Sequence, residues 1–307
     1  MKKTSMALRG VVPPLITPLS DAMTLDAAGL ERLIEHVLAG GVHGLFLLGT
    51  TGEGPSLSTR LKRELVERAC RIIAGRVPVL VGISDAAFAE SLALASFSAD
   101  CGADAVVLAP PYYFPAGQPE LVEYLESLVP QLPLPLFLYN MPTMTKVTIE
   151  VDTLRRAAGL DGVAGFKDSG GNMVKFHEYL EAMRDRPDFP ILMGPEELLA
   201  EAVLFGAAGG VSGGANIAPR LFVDIYHAAA AGDMVKVREL QERIFRHRRL
   251  YGCGRYASGM IKGVKTALNL MGICSDVMAQ PFHAFREPER QRIDILLREL
   301  DYYPKAR

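Results

Sequence analysis

Eight short apolar runs recur along the first two-thirds of the chain, at residues 11–17, 44–48, 78–83, 105–109, 134–139, 162–166, 190–193 and 209–212. They are rich in Val, Leu, Ile and Phe and lack polar alternation, as strands covered on both faces require. Each is followed by a stretch with helical spacing. Residues 26–38 set Leu30, Leu33, Ile34, Val37 and Leu38 on one face and run into Gly40-Gly41, a helix stop. Ser58 fits the N-cap of a helix that reaches Ile73. Comparable stripes predict helices over 90–99, 121–129, 151–158, 174–183, 196–205 and 219–230.

Eight strand–helix units joined by right-handed crossovers can close on themselves and leave no sheet edge. An open doubly wound sheet would carry a glycine-rich phosphate turn after its first strand. Here that turn reads Thr17-Pro18-Leu19-Ser20. The expected fold is therefore α/β, a (β/α)8 TIM barrel over residues 1–230. A C-terminal helical extension is expected over 231–307, with three helices at 233–250, 258–271 and 287–300. Within it, Arg246, Arg248 and Arg249 read as a solvated helix face or part of a subunit contact.

A chain of 307 residues, 49% hydrophobic and 22% charged, has the composition of an ordinary soluble protein with room for a barrel. Its net charge of −2 provides no field to attract nucleic acid or an anionic membrane, so recognition of an acidic substrate must be local. The first ten residues are basic but no apolar stretch of a secretory signal follows, so they read as a frayed tail. No run approaches the ~20 apolar residues of a membrane helix. A cytoplasmic protein is expected. Cys70, Cys101, Cys253 and Cys274 are too scattered for a disulfide framework or a zinc site and read as buried reduced thiols. The six histidines show no H-x-H or H-x-x-x-H spacing, so neither a metal nor another cofactor is expected.

Barrel active sites form where the strands end, so the residues just past each run carry the chemistry. The second run is followed by Gly49-Thr50-Thr51-Gly52-Glu53-Gly54, two hydroxyls and several backbone N–H groups suited to a small carboxylate. It lacks the Gly-Lys-Ser/Thr ending of a nucleotide loop. The fifth run ends in Tyr139-Asn140 and the sixth in Phe166-Lys167-Asp168. A lysine after an apolar strand either snorkels to water or is partly desolvated, and desolvation favours a neutral, nucleophilic amine. Thr50, Thr51, Tyr113, Tyr139, Lys167 and Val211 all fall at outgoing strand ends, which a parallel barrel gathers on one rim. An amine, a phenol and a carboxylate cradle on one cavity make a coherent set. The amine would attack a ketone, the phenol would shuttle protons, and the cradle would hold the acid group.

Four motifs, Gly49-Thr50-Thr51-Gly52-Glu53, Pro110-Pro111-Tyr112-Tyr113, Tyr139-Asn140-Met141-Pro142 and Gly165-Phe166-Lys167-Asp168, resemble the signatures of the dihydrodipicolinate synthase/N-acetylneuraminate lyase family. The resemblance implies a pyruvate-dependent class I aldolase with Lys167 as the Schiff-base lysine and Tyr139 as proton donor and acceptor. Thr50 and Tyr113 would complete the proton relay. Thr51, Gly49 and the backbone at Val211 would hold the pyruvate moiety. The resemblance also implies a homotetramer of paired dimers, in which the tyrosine at position 113 reaches the neighbouring subunit's site.

In the synthase branch an arginine stands five residues after the tyrosine and binds the carboxylate of the semialdehyde partner. Met144 stands there in this chain, and a thioether forms no charge-assisted bond to a carboxylate. The segment Lys167-Asp168-Ser169-Gly170-Gly171 resembles the family's sugar-acid aldolases and dehydratases, which implies pyruvate and an aldehyde as partners, in cleavage or formation of a 2-oxo-3-deoxy sugar acid. Dehydration of such an acid and 4-hydroxy-tetrahydrodipicolinate synthesis are the alternatives. A non-catalytic 2-oxo-acid sensor would not need both Lys167 and Tyr139.

Overall fold

The computed structural model describes residues 6–303. Eight parallel strands form one sheet: β1 (Gly10–Val11), β2 (Leu45–Leu47), β3 (Val79–Gly82), β4 (Ala105–Leu108), β5 (Leu136–Asn140), β6 (Val163–Asp168), β7 (Ile191–Met193) and β8 (Gly209–Gly210). Neighbours pair in sequence order from β2 to β8, and β8 pairs with β1. The ring closes between β1 and β2 through a parallel bridge of Pro14 with Phe46. There the N–H of His43 bonds to Val11 O at 2.8 Å and the N–H of Phe46 to Pro13 O at 2.9 Å. The fold is the expected TIM barrel.

The surrounding helices are α1 (Ala27–Ala39), α2 (Thr59–Ile73), α3 (Phe88–Asp100), α4 (Gln118–Leu128), α5 (Pro142–Thr145), α6 (Val151–Ala158), α7 (Met173–Ala182), α8 (Leu199–Leu204) and α9 (Pro219–Ala230). Asp26 and Ser58 cap α1 and α2, accepting from the N–H groups of Gly29 and Leu61. Three C-terminal helices follow, α10 (Met234–Arg248), α11 (Gly259–Leu270) and α12 (Glu287–Glu299). No helix among the described residues is long and apolar enough to cross a membrane.

Alternation along the strands divides the apolar residues between two cores. Leu8, Val12, Phe46, Leu80, Val107, Phe137 and Leu192 fill the barrel interior, while Leu45, Leu47, Val81, Val106 and Leu138 face the helices. Burial of each such side chain contributes about 1.5–3 kcal/mol.

The structure departs from the sequence reading in several places. The first apolar run is a strand only at Gly10–Val11, because Pro13 and Pro14 have no N–H to donate to a ladder. Beyond it, Leu19–Asp21 pairs antiparallel with Thr24–Leu25, a hairpin that the sequence reading left as a turn. Of the ten residues expected to form a frayed tail, residues 1–5 lie outside the described part, and Leu8 is buried in the barrel interior. β8 is short because its backbone presses on β1: a Cβ at Gly209 would lie 2.0 Å from Gly10 O. Cys70 and Cys274 are buried, whereas Cys101 and Cys253 are only half-buried.

Candidate active site

β5 and β6 run one or two residues further than their apolar runs, and the extra residues carry the site. Tyr139 and Lys167 are register partners in the ladder, as are Asn140 and Asp168. Gly165 makes room for the Phe137 ring, whose nearest atom would stand 2.3 Å from any Cβ there. Two residues on, Lys167 is 5% exposed, with Nζ 3.8 Å from the Tyr139 ring centroid and 5.1 Å from that of Phe46. The lysine therefore does not snorkel. Phe46 meets Tyr139 edge-on with centroids 6.3 Å apart, so the amine stands in an aromatic corner.

The adjacent pair is a brace. Asn140 Nδ2 donates to Asp168 Oδ1 at 2.6 Å, and the N–H of Gly170 donates to the same oxygen at 3.0 Å. Burial raises the Asp168 carboxyl above its usual range. Asn140 Oδ1 also accepts from the N–H of Ile149 at 3.0 Å, which ties the end of β5 to the segment before α6.

Tyr139 is fully enclosed. Burial alone would raise its pKa, but the Lys167 charge and hydrogen bonds with Thr50, Ser169 and Lys167 together hold the phenol below its ordinary range. Thr50 Oγ1 lies 3.4 Å from Tyr139 Oη. The loop bearing Thr50 and Thr51 starts at Leu48, which has a left-handed φ of 59°. That conformation costs a residue with a side chain about 1–2 kcal/mol and turns the loop over the rim. Glu53, also left-handed at φ 57°, anchors the loop. Its buried carboxylate pairs with Lys265 of α11 and accepts from the N–H of Ala279 at 2.8 Å.

One detail of the loop differs from the expectation: the N–H groups of Glu53 and Gly54 turn back to Thr50 O and Gly49 O, which leaves the side chains of Thr50 and Thr51 as the polar groups it offers to the cavity.

Thr50, Thr51, Tyr139, Lys167 and Val211 border one cavity of about 580 Å³. Val211 follows β8, and its N–H is committed to Met193 O at 2.8 Å, which leaves the carbonyl as its free backbone group. Gly49 borders an adjoining, mostly apolar hollow of about 350 Å³ that shares Thr50, Tyr139, Met141 and Met144 with the first. Tyr113 borders neither. It is 74% exposed and stacks on the equally exposed Phe114, with centroids 5.1 Å apart. A larger groove of about 1000 Å³ lies outside the barrel along α6 and α7 and shares no wall residue with the cavity at Lys167.

Other wall residues were not singled out from the sequence. Ser169 occupies the space that a Cβ at Gly194 would need, with Oγ 2.0 Å from it, and bonds to the Tyr139 phenol. Glu196 lies at the far side. Its Oε2 accepts from the N–H of Gly214 at 2.6 Å and its Oε1 from the Tyr251 hydroxyl at 2.5 Å. The Tyr251 oxygen lies 3.0 Å from His247 Nε2, and His247 Nδ1 lies 3.0 Å from the Tyr302 hydroxyl. Burial raises Glu196 to about 7 and lowers His247 to about 3. Arg248 and Arg249 keep the exposed helix face expected of them and also border this same cavity, Arg248 paired with Glu197 and Arg249 with Glu299 of α12.

Residues 7–300 match the model of the dihydrodipicolinate synthetase family. The chain belongs to that family. It is accordingly a pyruvate-dependent class I lyase or aldolase, and its family uses pyruvate and an aldehyde. A dihydrodipicolinate synthase structure from Bacteroides thetaiotaomicron is 56% identical, with a TM-score of 0.93 over 95% of this chain and 98% of that one. A prophage family member from E. coli K12, solved in complex with pyruvate, is 26% identical, with a TM-score of 0.90 over 96% and 99%. The 4-hydroxy-tetrahydrodipicolinate synthase of Methanopyrus kandleri is 32% identical over 97% of this chain and 98% of its own.

Proposed function

We propose that this enzyme binds pyruvate as a Schiff base on Lys167 and makes or breaks a carbon–carbon bond between it and an aldehyde. The reading rests on one observation, the enclosed Lys167 amine 3.8 Å from the Tyr139 ring centre, beside the hydroxyl of Thr50. After giving a proton to the Tyr139 oxygen, the Lys167 amine attacks the ketone carbon, and the ketone oxygen leaves as water once protonated. Loss of a C3 proton from the iminium to the Tyr139 oxygen gives an enamine, whose C3 attacks the aldehyde carbon. The developing alkoxide takes its proton from Tyr139, and water releases the product from Lys167. Thr50 and Thr51 hold the pyruvate carboxylate, with the Val211 carbonyl and Gly49 completing that end.

The acceptor is the aldehyde of a 2-oxo-3-deoxy sugar acid. Met144, 48% exposed beside the cavity, gives no charge-assisted bond where the synthase branch has its arginine. The relatives named as 4-hydroxy-tetrahydrodipicolinate synthases keep that activity as the second reading, and dehydration through the same lysine is the third.

Tyr113 acts across a subunit boundary. The exposed Tyr113–Phe114 pair and the apolar hollow beside Thr50 and Tyr139 suit each other in two copies of the chain, within a homotetramer of paired dimers. We place the enzyme in the cytoplasm, working without metal or other cofactor.

Borohydride reduction with pyruvate tests the reading. Pyruvate and hydride should add a stable mass to the peptide containing Lys167. A protein that binds pyruvate but gains no mass is a sensor, and the proposal fails.

A further inference from the structure

Position 144 offers the cavity no arginine, but other arginines border it. Apart from Lys167, Arg248 and Arg249 at the end of α10 are the cationic side chains that border the cavity. Arg248 Nε donates to Glu197 Oε1 at 2.5 Å, and Glu197 is itself held where Gln241 Nε2 donates to its backbone carbonyl at 2.8 Å. The guanidinium is thus fixed along its Nε edge, while Nη1 and Nη2 meet no hydrogen-bond acceptor among the described residues. That free planar pair matches both oxygens of a carboxylate. Arg249 is placed differently. Its Nη1 turns away to Glu299 of α12 at 2.7 Å, and it also borders a separate hollow beside Arg292.

We propose that Arg248 binds a carboxylate at the end of the substrate remote from the Schiff-base carbon. The molecule handled at Lys167 is then a 2-oxo acid that is acidic at both ends, and its aldehyde fragment carries the second acid group. Glu196 and Tyr251 border the intervening space and suit the hydroxyls between. The inference rests on the Lys167 reading and narrows its substrate class.

Borohydride trapping of matched 2-oxo acids tests it without knowledge of the natural acceptor. 2-Oxoglutarate and 2-oxoadipate are compared with 2-oxopentanoate and 2-oxohexanoate, scored by the concentration that half-saturates trapping. At one of the two lengths the diacid should need about tenfold less than its monoacid, the scale of one charge-assisted contact. Arg248→Met should shrink that ratio to within about twofold, and Arg248→Lys should retain part of it. Arg246→Met should leave the ratio alone, since Arg246 borders no part of the cavity and pairs with Glu242. No diacid preference at either length, or one that survives Arg248→Met, overturns the proposal while pyruvate trapping leaves the Lys167 reading standing. Failure to trap pyruvate removes both.

Discussion

Two tyrosines border the same cavity in opposite electrostatic company. For Tyr139 on β5, burial pushes the phenol up, but the Lys167 charge and the hydrogen bonds around it prevail and hold it low. For Tyr251, after α10, burial and the Glu196 carboxylate act together, and the phenol lies well above its ordinary range. One side chain type thus takes on two characters. Beside a cation the phenol yields its proton more readily than a free tyrosine does, as an acid–base group must. Beside a carboxylate it stays a fixed donor, useful for holding a shape and useless as a shuttle. The barrel strands provide the reactive corner and the C-terminal helices the rigid wall.

Removing the cation should break the contrast most completely. Lys167→Ala should abolish turnover and borohydride trapping. It should also move the Tyr139 phenol upward towards Tyr251, as read by tyrosinate absorbance during a pH titration. An unmoved titration would mean that Lys167 does not set the phenol. Tyr139→Phe should still trap pyruvate but lose about 10²-fold in kcat, the usual scale for a missing acid–base group. Wild-type kcat in that variant would remove Tyr139 from the proton path.

Glu196→Gln addresses the other wall through stability. Burial lifts the folded-state pKa from 4.5 to about 7, so the folded protein holds a proton that the unfolded chain releases. This contribution is fully present below about 4.5 and is lost as pH rises through 7, by up to about 3 kcal/mol. The Gln variant should therefore show a flatter pH dependence of its urea midpoint between those values. A slope equal to wild type would mean that Glu196 ionises as freely folded as unfolded. The smallest change in rate is expected for Tyr251→Phe. It loses the hydrogen bonds to Glu196 and His247, about 1–3 kcal/mol of stability, with kcat kept within about tenfold. A loss as deep as that of Tyr139→Phe would erase the distinction between the two phenols.

Much of this was legible along the chain, for local reasons. Strand runs, helix stripes and the caps at Asp26 and Ser58 depend on residues a few positions apart, and they placed eleven helices and eight strands of the described residues close to where they lie. Pro13-Pro14 cut the first strand short for want of N–H donors, while the other failures came at long range, at Gly209 against Gly10 and at Leu8 inside the barrel. Tyr113 marks another boundary, since a single chain leaves it in solvent.

The order of apolar and polar residues by itself determined which positions end each strand, and hence that Lys167, Tyr139, Thr50 and Val211 share a rim. Local periodicity suffices for that, because a parallel barrel has only one outgoing face. Tertiary structure alone decided that Lys167 packs on aromatic rings, that Glu53 takes its counter-ion from α11, and that Glu196, Tyr251 and Arg248 complete the cavity. Those partners lie tens to hundreds of residues apart. Their charges act through space, over distances that spacing along the chain does not encode.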